Sequence, residues 1–194
     1  MNDATVAEDS ATPSRSRKMP TRILLACAAI GAAGGLIIAP VTVFSSSGPA
    51  LAIPLLYAIL AMVKLLPGVL AQSLLRVPGV ALLTCMIVGL INIAFSAHGP
   101  MVFVSLAGIG LLQEIPTAVT LYKRWNAWVL VIGNLAVGMV LAYLGWKVVA
   151  SAATHSAMAI GYWAAAAVMS VIIAWIGIAL GARVRRSGVI GATG

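Results

Sequence analysis

The chain has 194 residues, 62% of them hydrophobic and 8% charged, with a mean hydropathy of +1.09 and a net charge of +8. A water-soluble domain carries about 25% charged residues and about 45–50% apolar ones, so this composition excludes one: too few polar side chains exist to cover its surface. Twelve basic residues stand against four acids, and of Asp3, Glu8, Asp9 and Glu114 only the last lies in the body of the chain, which leaves little for acid–base enzyme chemistry.

Residues 1–20 are polar, rich in Ser, Thr and Pro, and end in a basic cluster. Such a segment buries too little apolar surface to fold, and it reads as a disordered cytoplasmic tail. Six apolar segments follow, at 22–39, 49–75, 78–97, 101–121, 126–147 and 158–182. Each approaches or exceeds the roughly 20 residues a helix needs to cross hydrocarbon. The second is over-long and contains Pro54 and Pro67, which predicts a kink or break near Leu66-Pro67-Gly68, or a span followed by a short interfacial helix. The expected fold is all-α. It is an integral membrane bundle of six transmembrane helices over 21–183, followed by a basic cytoplasmic tail over 184–194.

The cations stand at the ends of apolar runs rather than on an amphipathic face interleaved with aromatics, so they do not describe a nucleic-acid surface. With the amino terminus in the cytoplasm, Arg15, Arg17, Lys18, Arg22, Arg76, Lys123, Arg124, Arg183, Arg185 and Arg186 all fall inside, ten of the twelve. Only Lys147 lies in an outer loop, and Lys64 falls within the second span. That asymmetry places both termini in the cytoplasm.

Glu114 is the sharpest polar signal, about 13 residues into the fourth span and about 20 Å deep at 1.5 Å per residue. A carboxylate there is costly unless it faces a cavity or a partner. It reads either as a ligand contact, neutralising a cation or accepting from an amine, or as a structural group within helix contacts. Lys64, on a span running the same way, is its candidate partner; the alternative is snorkelling toward the cytoplasmic interface. Asn92 shares a helical face with Cys85, and Asn134 lies midway along the fifth span; both fit a polar ligand or a helix cross-link. Gln113 points about 100° away from Glu114, which argues against a shared cavity.

Trp125 and Trp128, with Tyr122 beside the basic pair, read as interface anchors. Tyr143, Trp146, Tyr162 and Trp163 gather at the outer ends of spans five and six and could form an aromatic wall over an externally open site, with Tyr57 of the second span a further ligand-contact candidate. Cys27 and Cys85 lie inside apolar stretches, and His98 and His155 lie in loops without acidic neighbours, so no metal site or cofactor is expected. Residues 26–35 (ACAAIGAAGG) set small side chains at helical spacing. Ala28 with Ala32, Ala29 with Ala33 and Gly31 with Gly35 would admit a close neighbour, either within the monomer or on a separate membrane subunit.

The stretches LLPGVLAQSLLRVPGVALL (65–83) and QEIPTAVTLYKRWN (113–126) resemble the two signature stretches of the YkoE family. These are substrate-binding S components of energy-coupling factor (ECF) transporters, associated with thiamine and its hydroxymethylpyrimidine precursor. The resemblance covers most of residues 22–182. It implies a prokaryotic cytoplasmic-membrane protein that captures a vitamin from outside and docks on a transmembrane coupling subunit carrying two cytoplasmic ATPases. The chain itself has no G-x-x-x-x-G-K-[ST] loop, so the nucleotide motor would be the partner's. The face at Ala28, Ala29, Ala32 and Ala33 is similar to the one by which S components meet that subunit. Glu114 falls where the family has an acid, and Cys85 stands where a second acid is expected. A self-contained secondary transporter of a small amine or cation, and an accessory subunit that binds no ligand, remain the alternative readings. An enzyme is not expected, since no nucleophile–base pair is present.

Overall fold

In hydrocarbon, backbone N–H and C=O groups find no partner outside the chain, so apolar runs of this length close their hydrogen bonds internally as helices. The computed structural model describes residues 21–96, 99–120, 126–152 and 155–187. These residues form α1 (Thr21–Ser45), α2 (Gly48–Ala52), α3 (Pro54–Val63), α4 (Leu66–Leu75), α5 (Val80–Ile93), α6 (Met101–Val119), α7 (Ala127–Val149), a 3-10 turn (Ala150–Ala152) and α8 (Ser156–Arg186). No strand occurs among them. The expected tail over 1–20 lies outside the described residues, as do His98, Tyr122, Lys123, Arg124, Trp125 and positions 188–194.

Among the described residues, five stretches are long and apolar enough to cross a membrane: Thr21–Ser45, Pro54–Leu75, Met101–Val119, Ala127–Ala152 and Ser156–Arg186. Of the six expected spans, the third falls short of that length. There only Val80–Ile93 is helical, 14 residues long, which gives about 21 Å against a hydrocarbon core of about 30 Å. Arg76 and Gly79, both at positive φ, stop the chain on one side, and a turn over Ala94 and Phe95 stops it on the other. Other boundaries move outward. α1 runs through Pro40 to Ser45, and α8 takes in Arg183, Arg185 and Arg186, where cations suit the negative end of the helix dipole.

The expected break in the second segment falls at Lys64 and Leu65, just before Pro67. Pro67 thereby occupies the first turn of α4, where its missing N–H costs no hydrogen bond. α4 is the most enclosed element, with Pro67, Gly68, Val69, Ala71, Gln72, Ser73 and Leu74 buried, and it lies against α5 and α8 and more lightly against α1.

Helix directions follow from matched contacts. Cβ atoms built on Gly31 and Gly35 of α1 would meet Ile87 and Ile91 of α5, so these helices are parallel. Gly177 and Gly181 of α8 meet Val69 and Ser73 of α4 in the same order. Because α4 ends where α5 begins, Thr21 and Arg186 lie at one end of the bundle. This is the terminal end of the bundle.

α1 divides its small residues between two faces. Gly31 and Gly35 are buried against α5, whereas Ala28, Ala29, Ala32 and Ala33 are all exposed, flanked by Leu25 and Leu36 at 65% exposure each.

Candidate functional site

The polar side chains predicted from sequence divide into two groups in the structure, with three residues engaged elsewhere. The first group forms a buried cluster toward the terminal end. Gln113 of α6 is its hub, although the sequence reading set it apart from Glu114. Its Nε2 donates to Leu65 O at 2.9 Å and to Asn134 Oδ1 at 3.3 Å, and its carbonyl accepts from Gln72 Nε2 at 2.8 Å. Asn134 Nδ2 in turn donates to Ser170 O at 2.6 Å. The side-chain amide therefore ties α6 to the α3–α4 junction and α7, the backbone carbonyl of Gln113 ties it to α4, and Asn134 carries the tie to α8. Cys85 Sγ lies 3.8 Å from Gln113 Oε1. The amide fits because residue 68 is glycine: a Cβ there would collide with Gln113 Oε1.

A cavity of about 10 Å³ beside this cluster is lined in part by Gln72, Gln113, Thr117 and Asn134. That is room for about one water molecule, in a polar setting able to hold it. It is far smaller than the 300–1,000 Å³ typical of an organic ligand site.

Glu114 takes a different place from the one expected. It is 7% exposed, and its Oε1 accepts the Ala81 N–H at 2.8 Å. Ala81 lies in the first turn of α5, where N–H groups have no intrahelical partner, and the N-cap there is Gly79, which has no side chain to offer. A carboxylate from the neighbouring helix does the capping instead, favoured by the positive end of the α5 dipole. Gly110, one turn before Glu114, makes this reach short: a Cβ there would sit 2.7 Å from Cys85 Cβ. Glu114 is also only five residues from the end of α6, about 7–8 Å along the axis.

Lys64 and Glu114 do not form an ion pair; Lys64 Nζ donates to Ser45 Oγ at 3.2 Å. The side chain reaches toward the end of α1 farthest from the termini, opposite to the expected snorkelling direction, because the chain bends at Lys64 and Ser45 offers an oxygen there. Asn92 is a helix cross-link: its Nδ2 donates to Gly35 O of α1 at 3.2 Å and to Val88 O at 2.8 Å.

The second group gathers at the end opposite the termini. Trp146 and Tyr162 have ring centroids 5.1 Å apart, Trp146 and Trp163 6.4 Å, and Tyr162 and Trp163 5.8 Å at nearly right angles. Tyr162 is fully buried and its hydroxyl donates to Ala142 O at 2.8 Å, which locks the ring. Tyr57 of α3 joins them across Gly145, where a Cβ would lie 2.9 Å from Tyr57 Cε1 and 2.8 Å from the Tyr162 hydroxyl. Tyr143 leaves the expected wall: it is 53% exposed, with Lys147 Nζ 5.0 Å from its ring centroid. Trp128, read as an interface anchor, is 67% exposed and meets Trp175 edge-on at 6.2 Å.

His155 is exposed at the start of α8, Cys27 and Cys85 are both buried, and no group of three or more His, Cys, Asp or Glu side chains is placed to hold a metal among the described residues.

Residues 23–140, from α1 through most of α7, match the family described as "ABC-type cobalt transport system, permease component". The chain belongs to that family. No curated protein matches it. Among solved structures, an S component of an ECF transporter is 21% identical to the chain, with a TM-score of 0.75 over 88% of each. This permease-family chain thus has the S-component fold, and its ring cluster and buried amide cluster are built into that fold.

Proposed function

We propose that the chain is the substrate-capture subunit of an ATP-driven ECF-type importer. In this reading it holds a flat heteroaromatic vitamin, thiamine or hydroxymethylpyrimidine, against Tyr57, Trp146 and Trp163, with the buried Tyr162 ring behind them. The observation that carries the proposal is the ring cluster, at the end of an S-component fold away from both termini. Tyr57, Trp146 and Trp163 are half-buried rather than sealed, which leaves ring surface for a guest. Each ring face offers a cation about 0.5–2 kcal/mol, which suits the thiazolium of thiamine, and stacking suits a neutral pyrimidine. A cobalt ion fits the described residues poorly, since they gather no set of nitrogen, sulfur and carboxylate donors. Lys64 supplies a polar pole seven residues along α3 from Tyr57, whereas Glu114, Asn92, Asn134 and Cys85 shape the helices beneath.

Capture alone does not move a substrate across the membrane. The exposed Ala28, Ala29, Ala32 and Ala33 face is read as the surface that meets a transmembrane coupling subunit, itself carrying two ATPases, because small residues permit close helix approach in lipid. The termini then face the cytoplasm, in keeping with the basic residues near them. Calorimetric titration of the purified chain with thiamine and with hydroxymethylpyrimidine tests the assignment. Micromolar binding of either is the expected result, and silence with both overturns it.

A further inference from the structure

Arginines from α4 and α8 lie at the terminal end of the bundle. Arg183, Arg185 and Arg186 occupy the last turn of α8, and Arg76 closes α4. Two glycines bring these helix ends together. Ser73 Oγ donates to Gly177 O at 2.9 Å, and a Cβ on Gly181 would collide with the same hydroxyl. Arg185 continues that face one turn after Gly181 and Arg76 lies three residues after Ser73, so the same helix contact sets the two arginines side by side. The single carboxylate side chain among the described residues, Glu114, accepts the Ala81 N–H at the start of α5.

Arg76 carries a second cost. Its φ of 51° and ψ of 38° are left-handed, a conformation that glycine takes freely at a helix end and that an arginine takes with strain. The helix contact does not require the like-charge pair, and an anion lying between the guanidiniums would neutralise it. Beside them Ile176, Leu180 and Val184 run up α8 at one-turn spacing, 44%, 39% and 36% exposed, and Arg183 stands on the same stripe two turns after Ile176.

We propose that Arg76 and Arg185, with Arg183 at the head of the stripe, hold the phosphate of an anionic phospholipid whose acyl chain lies along Ile176, Leu180 and Val184. The charge complementarity is with a lipid phosphate because the cations end an exposed apolar stripe of a membrane-spanning helix, at the depth where headgroups lie.

Thermal unfolding of the full chain in neutral detergent, with added dioleoyl phosphatidylglycerol, dioleoyl phosphatidylcholine or inorganic phosphate, tests the site. Phosphatidylglycerol should raise the midpoint by about 2–4 °C more than phosphatidylcholine does, and inorganic phosphate should leave it unchanged. Arg76→Gly relieves the left-handed strain, so it should unfold no earlier than the parent without lipid, yet lose most of the phosphatidylglycerol increment. Arg185→Gln should lose it as well. Equal shifts with the two lipids, the same shift with inorganic phosphate, or a full increment retained by either variant overturns the proposal.

Discussion

Glu114 Oε1 lies 2.8 Å from the backbone nitrogen of Ala81, so the single acid in the body of the chain closes the start of a neighbouring helix. α5 begins at a glycine N-cap and is short, and the carboxylate supplies the acceptor that Gly79 lacks.

Replacing this acid therefore acts on stability first. Glu114→Gln keeps an acceptor but loses the charge, and should cost about 0.3–1 kcal/mol. Glu114→Ala leaves the buried Ala81 N–H without that acceptor, and should cost about 1–3 kcal/mol. Unfolding in detergent reads both. Affinity for thiamine or hydroxymethylpyrimidine should change less than about tenfold in Glu114→Gln. A larger loss with an unchanged unfolding midpoint would make Glu114 a ligand contact after all.

Gly68 and Gln113 form a matched pair, since the amide occupies the space where a side chain at 68 would be. Gly68→Ala should destabilise the chain by about 1–3 kcal/mol through overpacking. Adding Gln113→Ala should recover part of that loss, and a double-mutant cycle measures the coupling, expected at about 0.5–3 kcal/mol. Strict additivity would mean that the two residues do not share that space.

The ring cluster makes a claim about binding rather than folding. Trp146 is half-buried beside Tyr162 and Trp163, whereas Trp128 is 67% exposed at the other end of α7. Trp146→Ala should weaken vitamin binding by about tenfold or more, the loss of one well-placed aromatic contact. Trp128→Ala should leave it unchanged. Calorimetry on both variants distinguishes a ligand wall from a set of membrane anchors, for which the two substitutions would behave alike.

The alanine face predicts a separation of functions. Ala28→Leu with Ala32→Leu adds bulk where α1 is exposed, so the isolated chain should unfold at the same temperature and bind vitamin as before. Co-purification with the coupling subunit should fall sharply, because close helix approach is blocked. Undiminished co-purification would move the docking surface elsewhere.

Composition and segment length were enough to establish a helical membrane protein, because the cost of unsatisfied backbone groups in hydrocarbon leaves almost no other structure open to such a chain. The break before Pro67 and the tyrosine and tryptophan positions of the ring cluster were also readable, since each depends on one residue's own geometry or on its place at a helix end. Pairing was not readable. Gln113 and Glu114 are adjacent, and the 100° between them on α6 puts each against a different neighbour; only the docked helices decide that one becomes a tie to Leu65 and Asn134 and the other a cap. Likewise the glycines and alanines of α1 look alike in sequence, and it is the position of α5 that turns the first inward and leaves the second facing outward. Local chemistry specifies what a side chain can donate or accept, but long-range contact decides which groups come within 3 Å of it.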